Sequence, residues 1–171
     1  MIEKKVQDQV NDQIQAEFQS GWLYLAYAAW FEERDLDGFG NWMRIQWQEE
    51  QEHGMKFYDH ILRRGGEVEL KDLEKPTVEA ESVVDVFEAV LAHEQYITKR
   101  IHSLYDMARE EGDYPLQTLL NWFIDEQVEE EEMAESILER LKMVADDSAA
   151  LYMMDQELAA RSPQKDGEEQ Q

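Results

Sequence analysis

Four long stretches of the sequence set apolar residues at the three- and four-residue spacing of an α-helix, and each apolar stripe is broken near its middle by carboxylates or a carboxamide. In the first stretch, about Lys4 to Glu33, the stripe is Val6, Val10, Ile14, Phe18, Leu25 and Phe31; Glu17 falls on its apolar side and Tyr24 seven residues later. The second runs from about Gly38 to Arg64, carries the acidic run Trp47-Gln48-Glu49-Glu50-Gln51-Glu52-His53, and stops at Gly65-Gly66 as a helix C-terminus does. The third opens on Ser82-Val83-Val84-Asp85, which has the form of a capping box, and its stripe from Val83 to Leu104 is interrupted by Glu94. The fourth restarts at Asp113 with Pro115 and aligns Leu116, Leu120, Phe123 and Ile124 with Gln127 and Glu130, then Ile137 and Leu141. Helices of this kind must bury their stripes against one another, so the fold class is all-α, a four-helix bundle.

The connection from about Gly65 to Glu81 has no sustained helical period and contains Pro76. Helices of this length extend about 40 Å, and sixteen or so extended residues span about 50 Å, so the connection can return along the whole bundle. Glu17 lies about as far before the turn near Leu36 as Glu50 and His53 lie after it, and Glu94 and Gln127 straddle the turn near Gly112 in the same way. With the two hairpins side by side, Glu17, Glu50, His53, Glu94 and Gln127 converge at mid-bundle. Glu50 and His53 are one helical turn apart and can grip one ion together. Burying several carboxylates with one imidazole costs several kcal/mol per unpaired ion, and no Lys or Arg lies on these stripes near that level. Cations from solution are then the expected partners, and an oxygen-rich, nitrogen-containing donor set suits first-row divalent ions, iron first and manganese second.

Composition narrows the alternatives. The chain has no cysteine, which excludes disulfides, thiolate metal sites and cysteine nucleophiles. Its 40 Asp and Glu against 16 Lys and Arg give a formal charge of -24, which repels nucleic acid and anionic membranes and attracts cations. The N-terminus has no apolar signal core and no run of the sequence is apolar enough to cross a bilayer, so the expected location is cytoplasmic. A shorter fifth helix is expected from about Asp147 to Ala160, with Leu151, Met154 and Leu158 on one side. The four-helix core is complete through Leu141, so that stripe is expected to bury against neighbouring subunits, and truncation after Asp146 to leave the bundle intact. Residues 1–161 form one expected domain, followed by a polar, disordered tail over 162–171.

Glu17 with Tyr24, Glu50-x-x-His53, Glu94 and Glu126-Gln127-Val128-Glu129-Glu130, in order on successive helices, resemble the ferroxidase pattern of non-haem ferritins of the bacterial and archaeal type. The resemblance implies a ferritin-like four-helix bundle with a long crossover and a short fifth helix. It implies one metal position at Glu17, Glu50 and His53, a second at Glu50, Glu94 and Gln127 with Glu50 bridging, and a third at Glu49, Glu126, Glu129 and Glu130. Tyr24 is similar to the tyrosine that hydrogen-bonds near the site and donates an electron. The implied reaction oxidises two Fe(II) per subunit with O2 or H2O2 and stores the product as ferric oxyhydroxide inside a hollow shell of 24 copies, with the fifth helix lining the four-fold axes. Haem-containing relatives carry a methionine after the second-helix glutamate and repeat E-x-x-H on the fourth helix; Gln51 and Glu130 stand here, so no haem is expected. Gln117 and Leu120 stand where vertebrate ferritins place three-fold-channel carboxylates.

Two other classes compete. An acidic helical scaffold without redox activity explains the charge and the amphipathic helices but not the level-matched interruptions. A di-iron or di-manganese peroxide scavenger that stores nothing shares the site but not the shell. Among other residues, His60, His93 and His102 have no partner at ligand spacing and read as structural or surface groups, and the five tryptophans as packing and contact residues.

Overall fold

The computed structural model describes residues 2–144 and 147–163. Among these, five helices account for the regular structure: α1 Lys4–Glu32, α2 Asp37–Arg63, α3 Val83–Glu110, α4 Tyr114–Val144 and α5 Ser148–Ala159. Each expected helix is present within a residue or two of its expected bounds. The expected tail over 162–171 lies, from 164 on, outside the described residues.

The turns are set by local chemistry. After α1, Asp35 takes φ +58° and lets the chain reverse into α2. Gly65 at φ +69° closes α2, with the Gly66 N–H donating to Ile61 O at 3.0 Å, the pattern of a left-handed helix stop. Ser82 and Asp85 form the reciprocal capping box at the head of α3. At the head of α4, Asp113 accepts from the Leu116 N–H at 3.0 Å and takes both its oxygens to within 2.7 Å of the Arg64 guanidinium, so one carboxylate caps α4 and ties it to the end of α2.

The α1–α2 and α3–α4 hairpins pack side by side. The crossover that joins them runs along α1, held by carboxamides spaced one helical turn apart. Gln7 accepts from the Glu67 N–H. Asn11 bonds both Glu67 O and the Glu69 N–H, Gln15 donates to Asp72 O, and Gln19 bonds both backbone groups of Glu74. These side chains satisfy the backbone of a segment that has no ladder of its own.

The apolar interior is split in two. One cluster, at the α1–α2 turn end, contains Tyr24, Phe31, Phe39, Trp42, Phe87 and Leu141; the other contains Val6, Ile14, Phe57, Ile97, Leu116 and Phe123. Between them lies a buried polar layer of Glu17, Gln46, Glu50, His53, Glu94, Gln127 and Glu130.

The fifth helix departs from expectation. Met154 and Leu158 are buried in the first apolar cluster of the same chain and Leu151 packs against it, so the stripe needs no neighbouring subunit. The reason is a socket at the head of α2. Asp155, 3% exposed, accepts from the Gly38 and Phe39 N–H groups at 2.8 and 3.0 Å, supplying the cap that Leu36 cannot. A Cβ on Gly38 would stand 1.7 Å from the Asp155 carbonyl oxygen. Truncation after Asp146 is therefore expected to uncover the core and uncap α2, rather than leave the bundle intact. The same contact yields a point-mutation prediction. Gly38→Ala is expected to lift α5 from its seat and cost about 1–3 kcal/mol of overpacking, read as a lowered thermal midpoint; an unchanged midpoint would show that α5 contributes nothing to the fold. The exposed side of α5 carries Tyr152 and Met153.

Candidate metal centre

The polar layer gathers side chains from all four long helices. Glu17 comes from α1, Glu50 and His53 from α2, Glu94 from α3, and Gln127 and Glu130 from α4; each is at most 4% exposed. Glu17, Glu50 and His53 each offer a ligand atom with all three atoms within 4.8 Å of one another. The His53 Nδ1 lies 3.5 Å from Glu50 Oε2. The opposite edge of the same ring points toward α4, where Nε2 is 4.0 Å from Glu126 Oε1, and His53, Glu126 and Glu130 likewise offer three ligand atoms within 4.8 Å of one another. His53 thus stands between two sets of carboxylates.

Glu94 is not in either group. Its carboxylate is held from the far side: the Tyr24 hydroxyl donates to Oε1, and Gln127 Nε2 donates to Oε2 at 3.2 Å and to the Glu94 carbonyl at 3.3 Å. Thr98, one turn after Glu94, accepts from the same Gln127 amide at 3.2 Å. Tyr24 packs edge-on to Trp42 and to His93, and His93 Nε2 is 2.8 Å from Ser20 Oγ, so this histidine is a packing group that backs the tyrosine. Of the remaining expected ligands, Glu49 is paired with Arg161 at 2.9 Å, Glu126 is half-buried, and Glu129 is exposed and belongs to neither group.

Electrostatics mark the layer as short of positive charge. Burial is the main cause that raises the carboxyls of Glu17, Glu50, Glu94 and Glu130 above their ordinary range. Glu50 is pushed well above it by burial and then by the charges of Glu17, Glu94 and Glu130. Glu94 rises to about 7, with the Tyr24 and Gln127 hydrogen bonds working against the rise. Burial, followed by Glu94, also pushes the Tyr24 phenol well above its usual value, keeping it a protonated donor. Among the described residues, Glu50 Oε2 and Gln46 Oε1 are buried without a hydrogen-bond partner. Groups left in this state cost stability unless something binds them.

Sequence reasoning missed several residues here. Gln13 donates to Glu17 Oε1 at 2.7 Å and accepts from Arg100 Nε at 3.1 Å, which orients Glu17 from outside the layer. Gln46 donates to Glu130 Oε2 at 2.7 Å. Gln13 and Gln46 stand one turn before Glu17 and Glu50, a spacing visible in the sequence. No Lys or Arg stands on the stripes themselves at this level, but two guanidinium groups reach its edge from off them, Arg100 from α3 and Arg161 from beyond α5, positions that helical periodicity does not place at the layer.

Comparison with known proteins follows the same lines. The sequence model of the ferritin family, described as a ferritin-like domain, matches residues 7–144. A bacterial non-heme ferritin of Staphylococcus saprophyticus is 41% identical over 162 residues, covering 95% of this chain and 97% of the relative. An engineered closed form of the Archaeoglobus fulgidus ferritin superimposes with a TM-score of 0.94 at 44% identity, covering 96% of this chain and all of the other. A novel open pore ferritin from the same archaeon gives 0.93 at 45% identity, covering 94% and 98%.

Proposed function

The chain belongs to the ferritin family, and from that premise we propose that residues 1–161 form one ferritin-like domain that oxidises ferrous iron at a di-iron centre in the polar layer and stores the ferric product. Glu17, Glu50 and His53 bind one ferrous ion, Glu50, Glu94 and Gln127 bind the other, and Glu50 bridges them. Glu49, Glu126, Glu129 and Glu130 take a third ion on the inner side. Two ferrous ions held together deliver two electrons to one oxidant, so O2 is reduced to H2O2, or H2O2 to water, with two protons taken up in either case. Tyr24 holds Glu94 in place through its hydroxyl and stands ready to supply a further electron. The oxidised iron passes inward to a ferric oxyhydroxide core enclosed by 24 copies of the chain in the cytoplasm, with the exposed Tyr152 and Met153 side of α5 as a contact surface.

One observation carries this reading: Glu50 is fully buried, wedged between Glu17 and His53, with Oε2 lacking a hydrogen-bond partner among the described residues and its carboxyl pushed well above the ordinary range. A scaffold gains nothing from such a group, whereas a pair of divalent cations neutralises it and its neighbours together. Among the described residues no helix is long and apolar enough to cross a membrane. The test is aerobic addition of ferrous salt to the purified protein, followed by sizing and iron analysis of the particles. Oxidation well above the buffer rate and many irons per large closed particle are expected. A buffer-level rate would leave only a scaffold, and fast oxidation without retained iron would leave a non-storing oxidase.

A further inference from the structure

The inner end of the polar layer contains buried oxygens that the paired pocket does not use. Gln46, one turn before Glu50, is fully buried; its Nε2 donates to Glu130 and its Oε1 has no hydrogen-bond partner among the described residues. Glu49 follows three residues later, on the same side of α2. Among the described residues, one guanidinium enters this cluster from outside the four helices. Arg161, just past the end of α5, puts Nη2 2.9 Å from Glu49 Oε2 and Nη1 3.4 Å from Trp42 O, with its carbon 4.8 Å above the Trp42 ring. The two charged side chains are only 15% and 12% exposed, which sets this pair apart from ordinary surface salt bridges.

We infer that Arg161 is the resident cation of this inner cluster, and that a metal cation loads there only by displacing the guanidinium and, with it, the end of α5. The inference rests on the ferroxidase reading, because it concerns the third set of carboxylates proposed above. A guanidinium has only donors and cannot approach a metal ion within a few ångströms without strong repulsion, so the two cations exclude each other. The metal has an advantage the guanidinium lacks: it can neutralise Glu49 and Glu130 together and gives Gln46 Oε1 a partner. The displaced side chain has a place to go. A groove of about 890 Å³ beside it is lined by Glu129, Glu132, Arg140 and Glu157, and the first two offer it new carboxylates. The movement is confined to the last turn of α5, because Asp155 fixes the helix to the head of α2. Coupling of this kind is reciprocal: contacts that hold the end of α5 down weaken cation loading, and loading loosens the end of α5.

The test uses Zn(II), which has no redox chemistry, in calorimetric titration of the full-length protein and its variants. The tight binding lost in Glu50→Ala identifies the paired pocket. A weaker class lost in Glu49→Gln identifies the inner cluster, and Arg161→Gln is expected to tighten that class about tenfold. A second measurement needs no substitution: hydrogen exchange at residues 157–161 of the wild type is expected to accelerate as the weaker class fills. If Arg161→Gln leaves the weaker class unchanged, or exchange is indifferent to its filling, Arg161 is a structural tie and nothing more. If the wild type lacks the Glu50-dependent class, the ferroxidase reading fails along with this one.

Discussion

Alanine at Glu50 or at His53 is expected to slow rapid ferrous oxidation by at least about a hundredfold, because loss of a ligand exceeds the ten- to hundredfold cost of disturbing a group that merely supports one. Glu50 is the more severe of the two, since both proposed metal positions draw on it, whereas His53 serves one. Stopped-flow absorbance at the ferric band measures the fast phase, and rates near wild type in both variants would remove these residues from the site. Stability distinguishes the functional account from a structural one. Glu50 Oε2 has no hydrogen-bond partner among the described residues and its carboxyl faces three others, so the metal-free fold must either keep it protonated or bear its charge; the isosteric Glu50→Gln is neutral at every pH and leaves no cavity. The metal-free Gln variant is therefore expected to melt at or above the wild-type temperature while oxidising iron far more slowly. A residue kept for the fold would show the reverse.

Periodicity alone located the helices, because long stripes with capping boxes and glycine stops leave few competing readings: Ser82 with Asp85, Gly65-Gly66 and Asp113 all act at the termini where their chemistry places them. The polar layer was legible for the same reason. A carboxylate on an apolar stripe is an anomaly that burial makes costly, and Glu17, Glu50, Glu94 and Gln127 each announced themselves in this way. What was not legible was lateral. Gln7, Asn11, Gln15 and Gln19 sit on what reads as the solvated face of α1, and nothing in their spacing says that an aperiodic segment will lie across them. The seat of α5 was missed because it depends on the absence of a side chain at Gly38 and on a carboxylate, Asp155, whose place beside the stripe of Leu151, Met154 and Leu158 does not reveal which backbone it caps. Arg161 falls beyond the last periodic residue, where pattern carries no information about contact with Glu49.

The metal-free protein is expected to be more stable at about pH 6 than at about pH 8, opposite to the usual behaviour of a carboxylate-rich fold. The sign follows from Glu94. Its carboxyl loses a proton near 4.5 in the unfolded chain but near 7 in the folded one. Folding therefore retains a proton across that window, and the stability contribution is full below about 4.5 and lost as pH rises through 7, a swing of about 3 kcal/mol for this group. Glu17, Glu50 and Glu130 are raised by burial as well and act in the same direction. His93 opposes them: burial lowers it from 6.5 to about 4, so its contribution is intact above 6.5 and is lost as pH falls toward 4. The carboxylates dominate between pH 8 and 6, where His93 has lost only the first part of its contribution, and the curve turns over on the acid side of that range. Divalent cations should invert the trend. They take the place of the retained protons, so loading strengthens as pH rises and the stability lost at pH 8 returns. Thermal melts at the two pH values, with chelator and with excess Zn(II), give four midpoints that test this together. Glu94→Gln should flatten the chelator pair, and a chelated wild type that melts higher at pH 8 than at pH 6 would mean that the polar layer is neutralised by something other than protons and metal.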